Sequence, residues 1–229
     1  MIPFDAVIFD LDGTLVDSIP DVTASVNFAL KQFGSGQISQ TDTRDLVGLG
    51  ARPLIVGAME RTGLPLSDHQ ADAILQMFLD RYKINPATLS RLYDGVTDTL
   101  DVFKKAGIKM AICTNKPAAT THPVLEAFDL SDYFSSIRCG DSVPHKKPDA
   151  RHVRLCLDDL GVDEAASVFV GDSETDIKAA QNARLPSVCV TYGYCHQAYD
   201  TLGATALIDD FTDLVPALNR IRNKHRVPS

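Results

Sequence analysis

Short apolar runs alternate with amphipathic stretches along most of this chain. The runs are Ala6-Val7-Ile8-Phe9, Lys109-Met110-Ala111-Ile112-Cys113, Ser167-Val168-Phe169-Val170 and Ser187-Val188-Cys189-Val190. Weaker ones fall at Ala206-Leu207-Ile208 and between Phe134 and Cys139. Unbroken apolar runs of this length, bounded by turn residues, predict strands buried on both faces. Helix-length segments lie between them, such as Val96–Lys105, stopped by Gly107. Strands alternating with helices imply an α/β fold: a doubly wound, Rossmann-like parallel sheet with helices on both sides.

One stretch breaks the alternation. From Ser18 to Tyr93 the pattern is helical throughout. Val22, Val26, Ala29, Leu30 and Phe33 share one helical face, and Ala71, Ile74, Leu75, Phe78, Leu79 and Tyr82 share another. Ser67, with Gln70 three residues on, predicts a capping box at the start of that second helix. Asn85-Pro86 ends it, because a residue before proline avoids the helical region. Between the two helices, Val47-Gly48-Leu49-Gly50-Ala51-Arg52-Pro53 is a Gly-rich break. The expected organisation is an α/β core of residues 1–15 and 90–229, with an all-helical insertion over 16–89 after the first strand.

Composition narrows the classes. The 229 residues suffice for one core domain with such an insertion. An apolar share of 45% and a charged share of 23% are ordinary for a globular protein. The net charge of -8 argues against a nucleic-acid partner, because such binding rests on Lys and Arg neutralising phosphates. A small anionic substrate stays open, since a few local cations can dominate a cleft. No apolar run is long enough to span a bilayer, and no signal peptide is visible. The five cysteines (Cys113, Cys139, Cys156, Cys189, Cys195) are scattered, and none falls in a C-x-x-C pair. Cys113 and Cys189 lie in apolar runs and read as buried thiols. The expectation is a cytoplasmic protein, monomeric or homodimeric, with no membrane partner, disulfide framework or zinc site.

The candidate chemistry gathers at strand ends. The first run closes on Phe9-Asp10-Leu11-Asp12-Gly13-Thr14, two carboxylates followed by a glycine that lets the chain turn and a ligand approach. Ligands of open parallel sheets bind outside those carboxyl ends. Alone, such a segment reads as a capped turn. It is joined by Cys113-Thr114-Asn115-Lys116, by Lys146-Lys147-Pro148 opening a helix, and by Gly171-Asp172-Ser173-Glu174-Thr175-Asp176. Each of these has a bland reading too: a polar terminus, a solvated charge, a helix cap. All four fall at strand-to-helix junctions of one sheet, which points to one shared site.

These motifs resemble those of the haloacid dehalogenase-like phosphohydrolases, over essentially the whole chain. Asp10-x-Asp12-Gly13-Thr14 is similar to the first motif, Thr114 to the second, Lys147 to the third and Gly171-Asp172-x-x-x-Asp176 to the fourth. The helical insertion is similar to the family's small cap. The resemblance implies roles. Asp10 is the nucleophile that forms an aspartyl phosphate. Asp12 is the general acid and then the base. Thr114 and Lys147 hold the phosphoryl oxygens, with Gly13 and Asn115 also at the substrate. Asp10, Asp172 and the main-chain carbonyl of Asp12 bind Mg²⁺, and Asp176 stands behind them or acts through water.

Substrate signals are looser. Leu15-Val16-Asp17-Ser18-Ile19-Pro20-Asp21-Val22, Val47-Gly48-Leu49-Gly50, Thr114-Asn115-Lys116-Pro117 and Thr191-Tyr192-Gly193-Tyr194 resemble phosphoglycolate phosphatases. Arg52, beside the Gly-rich break, has the chemistry to pair with a substrate carboxylate, and reads equally as an exposed arginine without a role. The third motif departs from many relatives in having Ala150 where they carry a second proline. His122, His145 and His152 show no ligand spacing and read as surface residues. Phosphatases of pyrophosphate, pyridoxal phosphate or sugar phosphates, and a phosphosugar mutase, remain alternatives on the same scaffold. Asp12 argues against a dehalogenase. The intact carboxylates argue against a non-catalytic regulatory relative. Gly48-x-Gly50 lacks both the third glycine and the preceding strand of a dinucleotide site.

Overall fold

The computed structural model describes residues 2–65 and 67–225. β1 (Ala6–Phe9) leads to a short strand, β2 (Val16–Asp17), which pairs antiparallel with β3 (Arg91–Leu92). The other apolar runs become β4 (Lys109–Cys113), β5 (Ser136–Arg138), β6 (Ser167–Gly171), β7 (Ser187–Val190) and β8 (Ala206–Ile208). With β1 they form one parallel sheet in the order β5-β4-β1-β6-β7-β8. Ile8 lies opposite Ala111 and Phe169, so the first run pairs on both edges.

The sheet is covered on both faces, as unbroken apolar runs require. Val7 and Phe9 turn to one face, with Leu100 and Phe103 of α5 (Val96–Lys105), Leu125 of α6 (Ala118–Ala127) and Leu218 of α9 (Leu214–His225). Ala6 and Ile8 turn to the other, with Val153 and Leu157 of α7 (Ala150–Leu160) and Ala180 of α8 (Glu174–Asn182). Phe9 packs against the rings of Phe103, Phe134 and Phe211 at 6.2–6.3 Å. No helix of the described residues is long and apolar enough to cross a membrane.

Between β2 and β3 run four helices: α1 (Ile19–Lys31), α2 (Gln40–Leu46), α3 (Ala51–Thr62) and α4 (Asp68–Ile84). The apolar faces read from sequence meet here, Val22 and Val26 of α1 and Ile74 and Phe78 of α4 lying in one buried cluster. Asp21 ties the start of α1 to the returning chain, its Oδ2 accepting from Leu89 N, Ser90 N and Ser90 Oγ at 2.7–2.9 Å.

Two expectations need correction. At α4, Ser67 accepts from Gln70 N at 3.2 Å, but Gln70 Oε1 takes the Ser67 hydroxyl instead of its main-chain N–H, so the reciprocal box is only half formed. Complete boxes stand instead at α2 (Ser39 and Asp42) and α8 (Ser173 and Asp176). His152 is not a surface residue. It shares the sheet-facing side of α7 with Val153 and Cys156 and is fully buried, with Nε2 3.2 Å from Arg138 O. His122 is exposed and His145 half-buried. Cys113 and Cys189 are buried, and all five cysteines are free.

Candidate active site

β1 lies between β4 and β6, at the point where the chain's crossovers change direction, and delivers Asp10 and Asp12 to the carboxyl edge there. Asp10 N donates to Val170 O at 2.9 Å, which fixes the strand end. Gly13 takes φ +83°, and a Cβ there would run into the Asp172 carboxylate and the Tyr194 ring. Glycine therefore lets the first motif close over the fourth.

The four motifs meet. Asp172 lies just beyond β6, where its Oδ1 accepts from Thr14 Oγ1 at 3.0 Å and its Oδ2 from Tyr194 N at 2.6 Å. Asp176, in the first turn of α8, accepts from Asp172 N, Ser173 N and Ser173 Oγ through one oxygen. Its other oxygen faces Lys147 Nζ at 2.6 Å. The same ammonium lies 2.9 Å from Asp10 Oδ1, an ion pair without hydrogen-bond alignment, so that buried oxygen keeps no hydrogen-bond donor. Thr114, at the end of β4, accepts from Lys116 N at 3.2 Å and leaves its own proton unengaged among the described residues.

The electrostatics are those of a site built for a cation and an anion together. Burial pushes the Asp10 carboxyl up to about 6, Lys147 pulls it back, and Asp176 and Asp12 push it up again. Burial likewise lifts Asp172 well above the carboxylate range, helped by Asp176 and Asp10. Burial works against the Lys147 ammonium, but Asp10 and Asp176 outweigh it and raise its pKa. Oxygens of Asp10, Asp172 and Asp176 lie within 4.8 Å of one another. Four carboxylates here face two ammonium groups, Lys116 and Lys147. The surplus of carboxylates over ammonium groups and the hard oxygen donors of Asp10, Asp172 and Asp176 fit a divalent cation such as Mg²⁺.

Of the residues read from sequence, Asp10, Asp12, Asn115, Lys147, Thr114, Asp172 and Asp176 all border one cleft, and Gly13 supports it. Two have different surroundings from those expected. Asn115 spends its amide on the scaffold: Oδ1 accepts from Lys147 N at 3.0 Å, and Nδ2 donates to Lys147 O and to Gly48 O. Arg52 is not brought to the cleft. Its guanidinium lies half-exposed on α4, against Asp68 at 2.7 Å and Asp72 at 3.3 Å. Its neighbours Gly50, Ala51 and Leu54, with Gly48 and Phe78, form the wall from the insertion.

Sequence reading passed over three partners. Lys116 Nζ holds both oxygens of Asp12 at 2.9 Å and also meets Tyr82 OH at 3.1 Å. Thr14 and Tyr194 position Asp172. All three stood inside motifs already singled out, but Tyr194 donates through its main chain, so its residue type carried no signal of this role.

A parallel sheet that brings an aspartate pair, a lysine and a carboxylate cluster to its switch point, beneath a helical wall, belongs to an enzyme that cleaves phosphate esters. The profile of the haloacid dehalogenase-like hydrolases matches residues 7–190, and the chain belongs to that family. It is 42% identical over 213 residues to a phosphoglycolate phosphatase of Agrobacterium fabrum, covering 92% of this chain and 91% of that one. It is 33% identical to an N-acetylmuramic acid 6-phosphate phosphatase of Pseudomonas aeruginosa, covering 94% and 95%. Among solved structures, a predicted phosphoglycolate phosphatase from Haemophilus somnus superposes with a TM-score of 0.89 at 34% identity, covering 94% of this chain and 98% of that one.

Proposed function

We propose that this enzyme hydrolyses 2-phosphoglycolate to glycolate and phosphate, with Asp10 as nucleophile. The observation that carries the chemistry is the meeting of Asp10, Lys147 and Asp176 in a buried cluster beside Asp12. An Asp10 oxygen attacks phosphorus, the ester P–O bond breaks, and its electron pair leaves on the glycolate oxygen. Asp12 gives that oxygen a proton, then takes one from the water that attacks the aspartyl phosphate and frees Asp10. Lys147 lowers the repulsion between Asp10 and its anionic target, and the free Thr114 proton has a phosphoryl oxygen to meet. Asp10, Asp172 and the Asp12 carbonyl would hold Mg²⁺, with Asp176 orienting them. When bound, the ion neutralises charge on the transferring phosphoryl group.

The substrate reading draws on the relatives' activity, above all the phosphoglycolate phosphatase that shares 42% of its residues with this chain over 213 positions. The Gly48–Gly50 wall borders the cleft at the strand ends, where it would shield the reacting atoms from water. We infer that residues 16–89 act as this lid and that the β2–β3 ribbon marks its boundary with the core.

The test is phosphate release from a panel of 2-phosphoglycolate, glucose 6-phosphate, N-acetylmuramic acid 6-phosphate, pyrophosphate and pyridoxal phosphate, with and without Mg²⁺. The expected result is Mg²⁺-dependent turnover with the highest kcat/KM on 2-phosphoglycolate. A preference for a sugar phosphate would discard the substrate and leave the chemistry. Full turnover in excess chelator would discard the metal.

A further inference from the structure

With Arg52 drawn onto α4, a substrate carboxylate needs another cation. Among the described residues lining the cleft, the cations are Lys116 and Lys147. Lys147 is committed below the phosphoryl position, between Asp10 and Asp176. Lys116 stands apart from that cluster, gripping Asp12 through both oxygens. It is nearly buried, at 8% exposure, yet Asp12 and Tyr82 keep it charged against the cost of burial.

The substrate's own geometry links the two residues. If Asp12 serves the ester oxygen, whatever touches Asp12 also stands beside the next atoms of the leaving group. In 2-phosphoglycolate a single methylene separates the ester oxygen from the carboxylate carbon. An ammonium has three donors on a rotatable stem, so Lys116 can exchange one Asp12 oxygen for a substrate oxygen and keep the other. Its third donor meets Tyr82 OH at 3.1 Å, and the Tyr82 ring lies beneath the ammonium at 4.4 Å. Tyr82 belongs to α4 of the insertion, so this support comes from across the seam between insertion and core.

Resting on the phosphoglycolate reading above, we propose that Lys116 is the specificity-determining residue that binds the substrate's carboxylate. Tyr82 is a positioning residue that holds Lys116 in place from the insertion. A phosphomonoester lacking a second anionic group forfeits this contact, and selectivity for short anionic leaving groups follows.

The test compares kcat/KM on 2-phosphoglycolate and on ethyl phosphate, which keeps the aliphatic leaving oxygen and lacks the carboxylate. The proteins are wild type, Lys116→Met, Lys116→Arg and Tyr82→Phe, each loaded with Mg²⁺. Misplacing Asp12 harms both substrates alike and cancels in the ratio of the two efficiencies. Losing the carboxylate contact does not cancel. The ratio should fall about ten- to a hundredfold in Lys116→Met, the worth of one charged hydrogen bond. It should recover in part in Lys116→Arg and fall by a smaller factor in Tyr82→Phe. The inhibition constant of glycolate should rise in Lys116→Met in parallel. A wild type that prefers phosphoglycolate, with a ratio unchanged in Lys116→Met, overturns the role of Lys116 and leaves the function intact. A wild type with no preference overturns the substrate reading, and this inference with it. If Lys116→Met does not fold, the arginine and Tyr82→Phe variants decide, and an unchanged ratio in both overturns the proposal.

Discussion

Replacing Thr14 by valine tests whether Asp172 is a metal-holding carboxylate. Thr14 is fully buried, and valine keeps its shape without the hydroxyl. The Thr14 main-chain carbonyl, which accepts from Tyr192 OH at 2.9 Å, is untouched. Asp172 receives two hydrogen bonds, one from Thr14 Oγ1 and one from Tyr194 N, so the change removes one of the two. A hydrogen bond to a charged group contributes about 1.5–3 kcal/mol. Lost from a metal ligand, it should raise the half-saturating Mg²⁺ concentration about ten- to a hundredfold, the usual effect of removing a ligand's outer partner. Initial rates against free Mg²⁺ at saturating 2-phosphoglycolate give that constant, and melting temperatures against Mg²⁺ give it without turnover. The kcat at saturating metal should return close to the wild-type value. An unchanged Mg²⁺ requirement with a lowered kcat would refute the reasoning and make Thr14 a support of the loop alone.

Asp10→Asn should abolish turnover while keeping the fold, because the amide is near-isosteric but a poor nucleophile; substantial activity in the folded variant would rule out the aspartyl phosphate. In chelator, wild-type stability should fall as pH rises. Asp10 is raised from 3.8 to about 6, so its contribution is complete below about pH 4 and is lost as pH passes 6. At about 1.4 kcal/mol per pH unit, the stability of Asp10→Asn relative to wild type should climb by roughly 2 kcal/mol from pH 4 to 7 in denaturant titrations; a flat difference would show that burial does not raise the Asp10 carboxyl. Arg52→Ala should change kcat/KM on 2-phosphoglycolate little, since its ion pairs with Asp68 and Asp72 are exposed. A loss confined to that substrate would return Arg52 to the site.

The sheet was legible because its strands are buried on both faces and so leave unbroken apolar runs such as Val168-Phe169-Val170. The cluster at the strand ends was legible because Asp10, Thr114 and Asp172 are charged or hydroxyl residues directly after such runs, with Lys147 and Asp176 close to the starts of the helices that follow. The β2–β3 ribbon left no trace, since two residues per strand are too few for an alternation to register. Arg52 stayed open in sequence because it falls beside the cleft, and nothing there reveals Asp68 and Asp72, which lie more than a dozen residues on and one helix over. His152 misled because a single histidine carries no mark of the helix face it occupies; only its neighbours Val153 and Cys156 did.

What sequence could not convey is how far the insertion is wired into the catalytic residues. Asn115 holds the Lys147 main chain with one end of its amide, and the other reaches both Lys147 O and Gly48 O in the Gly-rich break. Arg44, in the last turn of α2, donates to Gly193 O at 3.2 Å and stacks over the Tyr194 ring, whose residue supplies a main-chain donor to Asp172. Tyr82 of α4 meets the lysine that holds Asp12. Lys147, Asp172 and Asp12, proposed above to meet the phosphate, the metal and the transferred proton, each have a neighbour that touches the insertion. Displacing it would loosen three supports at once. If the insertion acts as the proposed lid, bringing it down over a substrate would align them together, so the binding energy of a correctly sized leaving group would be converted into catalytic geometry. A substrate too large to let the wall settle would keep the same nucleophile and the same metal carboxylates, yet lose the alignment. On this scaffold selectivity is therefore expected to show in kcat as well as in KM.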